Sequence, residues 1–424
     1  MEFNKEFVTL EEVLEAYKDC RKHKHGKRAC IEFEMNEAEN LVKLWEELNN
    51  GTYEIGYSDT FIVTRPKHRE VFAADFRDRI VHHLIIARTN HLFEAHFIDD
   101  TYNCRKGKGT LYGVKQLHEQ LKQISNNFTE DCYILKCDLK GFFMSIDKRL
   151  LWKMLEKFLR ENYIGPDIEW LLWITKMVVL HRPELKCIKK CSKKLWRKIE
   201  KSKSLFWNGK WFGMAIGNLT SQIFANFFLT VLDKFVKRFK CVGYGRYVDD
   251  FAAISKSKRL LLVLMNQIRK YIQKHLKVTL HPDKWYIQHY SKGVNIIGAT
   301  IKRERLYAGN RLVHNAFYFV KRTTQDINID KYIQQYNSYT GYMVHFRTYK
   351  IRKRLYESLP EEVLKQTYID KDFKVLKIRQ KCKPKYKLLQ ILKEDNNGKD
   401  YFNIRDLCTA KGSGSWSLLL QSAA

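Results

Sequence analysis

The stretch Val242-Gly243-Tyr244-Gly245-Arg246-Tyr247-Val248-Asp249-Asp250-Phe251-Ala252-Ala253-Ile254 decides how this chain folds. Apolar and aromatic residues flank two adjacent carboxylates, with glycines at the entry. That pattern reads as a tight β-hairpin with the acid pair at its tip. Carboxylates are costly to hold together in a half-buried hairpin unless a counter-charge neutralises them. A divalent cation would do so, and hard oxygen ligands of this kind suit Mg²⁺. The alternative is an ordinary solvated turn, where Asp is common. The chain carries a formal net charge of +30, so acid concentrated at one apolar turn reads as metal held near a polyanion.

A third carboxylate stands 111 residues upstream of Asp249, in Tyr133-Ile134-Leu135-Lys136-Cys137-Asp138-Leu139-Lys140-Gly141-Phe142-Phe143. An apolar run ending in a single Asp reads as a core strand with a carboxylate at its C-terminal end. Two such strands side by side would bring Asp138, Asp249 and Asp250 together as ligands for two Mg²⁺ ions. Two-metal phosphoryl transfer needs that arrangement: one cation activates the attacking hydroxyl and the other steadies the pyrophosphate leaving group.

These segments resemble motifs A, B and C of reverse transcriptases: Asp138 with Phe143, the Gly213–Gln222 segment, and Tyr247–Asp250. Phe61-Ile62-Val63-Thr64-Arg65-Pro66-Lys67-His68-Arg69, then Asp75-Phe76-Arg77-Asp78-Arg79-Ile80-Val81-His82-His83, resembles the fingers of the bacterial, group II intron-like branch. Leu280-His281-Pro282-Asp283-Lys284 resembles motif D, and Gly293-Val294-Asn295-Ile296-Ile297-Gly298 the primer-grip hairpin of motif E. The pieces run in the family's order over roughly residues 10–355. The resemblance implies an α+β, right-handed fingers–palm–thumb polymerase with an antiparallel-sheet palm and a helical thumb. Its implied divisions are an N-terminal segment and fingers over 1–130, a palm over 131–300 with a basic insertion near 182–210, a thumb over 301–365 and an extension over 366–424.

The resemblance also assigns roles. Lys67 and Arg69 would bind the triphosphate of the incoming nucleotide, lysine as a point charge and arginine as a fork onto two oxygens; each alone would pass for a surface charge. Phe143 would be the steric gate that leaves no room for a 2′-hydroxyl, while Phe142 reads as core. Lys284 is a candidate general acid for the departing pyrophosphate, or a plain surface lysine. Asp147 reads as the cap of a helix starting at Lys148. In Ile216-Gly217-Asn218-Leu219-Thr220-Ser221-Gln222, Gly217 would allow close approach to the nucleotide and template base. Many reverse transcriptases have Gln-Gly in this loop and Ser-Pro at its end; Ile216 and Gln222 instead resemble diversity-generating retroelements and defence-associated enzymes. An apolar Ile216 removes hydrogen bonds at the nascent base pair, so altered fidelity is expected.

Composition agrees with these roles: 77 Lys and Arg stand against 47 Asp and Glu, the footprint of nucleic-acid binding. The segment Arg182–Lys210 mixes bases with aromatics, and reads equally as a structured-RNA surface or a solvated basic insertion. No apolar run reaches bilayer length, since Lys176 interrupts Ile168–Leu180, and no apolar leader opens the chain; a cytoplasmic location without membrane contact is expected. Irregularly spaced cysteines, with Cys187 and Cys191 the only close pair, read as free thiols. Helices are expected over Leu10–Cys20, Met35–Leu48 and Lys258–Leu276, and a strand pair over 52–66. Tyr332, Tyr336, Tyr339, Met343, Phe346 and Tyr349 form a helical stripe, beside which Arg347, Lys350, Arg352, Lys353 and Arg354 would grip a duplex. Lys411-Gly412-Ser413-Gly414-Ser415 reads as a flexible stretch, natural or added.

The expected function is RNA-directed DNA synthesis from dNTPs on a cognate structured noncoding RNA, yielding cDNA, in antiphage defence. An accessory protein or a second copy of the chain is a possible further partner. Competing readings are a diversity-generating retroelement enzyme making mutagenised cDNA and a non-catalytic RNA-binding splicing helper. The intact carboxylate triad argues against the last.

Overall fold

The computed structural model describes residues 7–379, apart from 25, 65–66, 241 and 323–326. Arg65 and Pro66 of the fingers motif, most of the C-terminal extension and the Lys411–Ser415 stretch lie outside the described residues.

Three helices, Leu10–Arg21, Arg28–Glu34 and Glu37–Asn49, open the chain. A capping box between Thr9 and Glu12 caps the N-terminus of the first. Strands β1 (Ser58–Val63) and β2 (Arg69–Ala73) pair antiparallel, so the alternation expected over 52–66 belongs to one strand whose partner comes later. The long helix Phe76–His96 follows, then Thr110–Ile124. Buried Asp78, within the fingers signature, accepts from the Tyr53 hydroxyl at 2.7 Å and the Gly56 amide at 2.9 Å. That carboxylate ties the 53–56 loop to the start of the long helix.

The palm is a four-stranded antiparallel sheet of β3 (Tyr133–Asp138), β5 (Gly243–Tyr247), β6 (Asp250–Ser255) and β7 (Tyr286–His289), in the order β5-β6-β3-β7. Between β3 and β5 lie the helices Lys148–Asn162 and Ile168–Leu180, strand β4 (Cys187–Lys189), and the helices Leu219–Phe228 and Thr230–Val236. Alternate residues of the sheet feed different cores, as the two-residue period requires. Leu135, Cys137, Phe251 and Ala253 join the core that includes the Lys258–His275 helix. Ile134, Ala252 and Ile254 join a second core with Val114, Leu117 and Leu121 of the Thr110–Ile124 helix.

Strands β8 (Val294–Ile296), β9 (Ala299–Ile301) and β10 (Leu306–Ala308) make a small antiparallel sheet against that second core. The thumb helices Asn310–Arg322, Ile329–Met343, Tyr349–Glu357 and Glu361–Gln366 bury their own cluster, including Tyr332, Tyr336 and Met343 of the expected stripe. Two short strands, β11 (Thr367–Ile369) and β12 (Leu376–Ile378), pair with each other, and Leu376 enters the same cluster. One thumb residue departs from expectation. Arg352 is buried and donates to the carbonyls of Phe373 and Asp372 and to the Thr348 hydroxyl, so it cannot also grip a duplex.

Candidate active site

Asp138 ends β3 and Asp250 begins β6, and the two stand directly opposite each other in the antiparallel register. Tyr247 and Asp250 close the neighbouring hairpin, leaving Val248 and Asp249 as a two-residue turn. Two separate runs of sequence therefore deliver three carboxylates to one sheet edge. Burial, followed by the Asp138 charge, pushes the Asp249 carboxyl up to about 6. Burial also raises Asp250, with Lys136 opposing the rise and Asp138 adding to it. These carboxylates feel one another.

The turn itself is strained. Val248 has φ of 58°, a left-handed conformation that a β-branched residue rarely adopts. Its amide donates to Asn103 Oδ1 at 2.9 Å, and its carbonyl accepts from Arg246 Nη1 at 2.9 Å. Arg246 is fully buried and grips Asp233 with two donors, Nε at 2.7 Å and Nη2 at 2.6 Å. Asp233, also fully buried, accepts further from the Tyr244 hydroxyl at 2.7 Å and the Thr101 hydroxyl at 3.0 Å. The acid pair thus rests on a desolvated, bidentate ion pair whose Nη1 holds the turn and whose Nη2 also reaches the Asn226 carbonyl at 3.3 Å. Asp233, Arg246 and Asn103 escaped the sequence reading; a lone acid in an apolar helix and a lone arginine in a core strand were the signals available.

Lysines neutralise the acids in this state. Lys284 Nζ lies 3.2 Å from Asp138 Oδ2, and Lys136 Nζ 3.5 Å from Asp250 Oδ1. Lys136 is a further residue that sequence reasoning left out. Among the described residues no three His, Cys, Asp or Glu side chains form a ready-made metal cage. The donor set still fits Mg²⁺: all oxygen, on a sheet edge, with Asp250 Oδ1 buried and without a hydrogen bond.

The other sequence-derived residues fall around this edge. Arg69, exposed at the start of β2, acts electrostatically on Asp249. Lys67 is exposed, with no contact that ties it to the carboxylates. Phe143 is half-buried in a short helical turn, Phe142–Ser145, that follows Gly141; Phe142 is buried in the core. The two rings therefore separate by the geometry of a helical turn. Asp147 caps the next helix, accepting from the Arg149 and Leu150 amides.

The loop carrying Ile216 and Gly217 is stitched to neighbours on both sides. Met214 N donates to Phe143 O at 2.8 Å, and Phe72 N donates to Ile216 O at 3.0 Å. Gly217 has φ of 127°, and a Cβ there would stand 2.9 Å from Val71 Cγ1 and 3.1 Å from Phe72 O. The close approach it permits here is to β2. Gln222 is exposed and accepts from Cys104 Sγ at 3.0 Å.

The reverse transcriptase (RNA-dependent DNA polymerase) family model matches residues 65–301, more than half of the chain. The chain belongs to that family. Membership agrees with the mixed helix-and-sheet, fingers–palm–thumb architecture. No curated protein matches the chain. Among solved structures it is similar to an apo telomerase from Candida tropicalis truncated from its C-terminal domain, at 11% identity and a TM-score of 0.43, covering 60% of this chain and 55% of that one. It is also similar to telomerase from Candida albicans in complex with a fragment of telomeric RNA, at 10% identity and a TM-score of 0.43, covering 72% and 59%. The chain therefore spans less than two thirds of each structure's length. No helix of the described residues is long and apolar enough to cross a membrane.

Proposed function

We propose that this chain copies a cognate structured noncoding RNA into cDNA, and that it does so in antiphage defence. The observation that carries the chemistry is the cross-strand pairing of Asp138 with Asp250 beside the strained Asp249 turn. Asp138, Asp249 and Asp250 would hold two Mg²⁺ ions, which when bound lower the pKa of the attacking hydroxyl and offset charge on the leaving group. A primer 3′-oxygen attacks the α-phosphorus of a dNTP, and the bond to pyrophosphate breaks. Arg69, within electrostatic reach of Asp249, and exposed Lys67 bind the triphosphate. Phe143 sets the sugar preference from its half-buried turn. Lys284, freed from Asp138 by the incoming positive charge, stands ready to protonate the pyrophosphate.

The Ile216 and Gln222 form of the nucleotide loop is shared by defence-associated and diversity-generating enzymes, so it supports either role and the tests in cells separate them. Asp249→Ala should reduce DNA synthesis on an RNA template by at least about a thousandfold. It should leave RNA affinity within a factor of about two and abolish protection in a phage plating assay. Protection retained without synthesis would mean that the fold acts as an RNA binder. Sequencing of cDNA from cells gives the second check: products matching a repeat in a protein gene would move the chain to diversity generation.

A further inference from the structure

Residues 182–212 carry eleven Lys and Arg against two Glu, close to a third of the net charge of the whole chain. They do not form a loose loop. Strand β4 pairs parallel with β1 and extends the fingers sheet to the order β2-β1-β4. Buried Glu70, the neighbour of Arg69, accepts from the Ser204 hydroxyl at 2.6 Å and the Leu205 amide at 2.8 Å. Asn208 Nδ2 donates to Met144 O at 2.7 Å. The lobe is therefore bolted to both the fingers and the loop bearing Phe143.

Its aromatics divide into two layers. Trp196 and Phe206 lie edge to face at 5.3 Å, with Lys189 Nζ over both rings and Phe206 packed on buried Phe72. That layer is packing. Trp207 is different: it is 66% exposed, with Lys201 Nζ 4.5 Å from the ring centroid. Trp211 lies between Lys210 at 4.8 Å and Arg149 at 5.6 Å. Lys193, Lys194, Arg197 and Lys198 are exposed and make no ion pair among the described residues. An open indole backed by a cation, among unpaired positive charges, suits a base stacked on the ring and phosphates on the lysines.

We infer that this lobe is a binding platform for single-stranded RNA, holding unpaired template beside the carboxylate edge. The inference deepens the proposed function and rests on it for the identity of the strand as template. Duplex fits the surface less well, because its bases offer no open face to Trp207.

The test uses the full chain and an unstructured, fluorescein-labelled RNA of roughly 20 nucleotides, longer than the site of one single-strand-binding module. Binding is measured by anisotropy without dNTPs across a salt series. Trp207→Ala should weaken binding about fivefold or more, with Trp207→Phe restoring most of it. Joint replacement of Lys193, Lys194, Arg197 and Lys198 by Ala should lower the log–log salt slope by about 3. Both variants should melt with the parent and raise the KM for the template–primer more than they lower kcat. Unchanged affinity and slope in the folded variants, or weakening confined to an RNA duplex, would overturn the platform. A parent that binds RNA but cannot extend the pre-annealed template would sink the polymerase reading while leaving the platform test intact.

Discussion

Two hairpin turns in this molecule solve the same backbone problem differently. The palm turn, Val248-Asp249, and the turn between β8 and β9, Ile297-Gly298, each join strands with two residues. Each puts a β-branched residue at positive φ, 58° at Val248 and 51° at Ile297. The second turn follows with Gly298 at φ 79°, so both central residues are left-handed, as in a type I′ turn. Ile297 is buried, and Gly298 is joined to the chain beyond β10 by the Gly309 amide. In the palm turn only the first position, Val248, is left-handed, and the second carries the carboxylate of Asp249. Its strain is offset from below, by Arg246 bonding the Val248 carbonyl and Asp233 holding Arg246. Both turns hold a β-branched residue at positive φ, and the one that presents an acid has a buried ion pair bonded to that residue's carbonyl.

The largest effect expected from this contrast comes from breaking that pair. Asp233→Ala leaves a fully buried guanidinium without its partner, which costs about 3–5 kcal/mol. Urea unfolding should show that loss, and DNA synthesis should fall with it as the acid turn loses its support. A midpoint shift no larger than that of a surface substitution would mean the turn holds itself.

A smaller effect with the opposite sign is expected at Asp249. Its carboxyl titrates near 6 in the folded chain, against about 4 for an exposed aspartate. The folded state therefore binds this proton more tightly than the unfolded chain does. Ionised Asp249 subtracts stability above pH 6 and subtracts nothing below pH 4. Asp249→Asn should stabilise the metal-free protein by about 1–3 kcal/mol at pH 7.5. The gain should shrink as pH falls through 6 and vanish near 4. Thermal melts in chelator across that range check it; a gain independent of pH would remove charge repulsion as its source.

Much of the palm turn's side of this contrast is legible in the sequence. The acid hairpin and the partnership of Asp138 with Asp250 follow from apolar runs of strand length that end in carboxylates. The Asp147 cap and the Lys258–His275 helix follow from local chemistry that needs no tertiary context. The Arg246–Asp233 pair does not, because nothing local distinguishes a buried arginine from an exposed one. Its two members meet only when the Thr230–Val236 helix packs against β5. Arg352 shows the same failure in the thumb, where burial under Phe373 turned an expected duplex contact into a structural one. In the basic lobe the charge was legible, but the parallel pairing of β4 with β1 was not, since so short a strand carries no periodic signal.

The smallest expected effect lies in the turn that relies on glycine. A Cβ at Gly298 would meet no atom within 4 Å, so Gly298→Ala creates no clash. What remains is the intrinsic cost of φ 79° for an L-residue, roughly 1–2 kcal/mol, reduced by the lower entropy of an unfolded chain that carries Ala. The net loss should be about 1 kcal/mol in urea unfolding, with DNA synthesis on a pre-annealed template unchanged. The same substitution would be neutral if the turn relaxed to φ below zero. Relaxation would in turn break the Gly309 amide bond to the Gly298 carbonyl at 3.0 Å, and amide exchange at Gly309 would report it. A neutral stability effect with Gly309 still protected would show that left-handed backbone costs little in this sheet. The buried pair beneath Val248 would then have to be explained by charge placement alone.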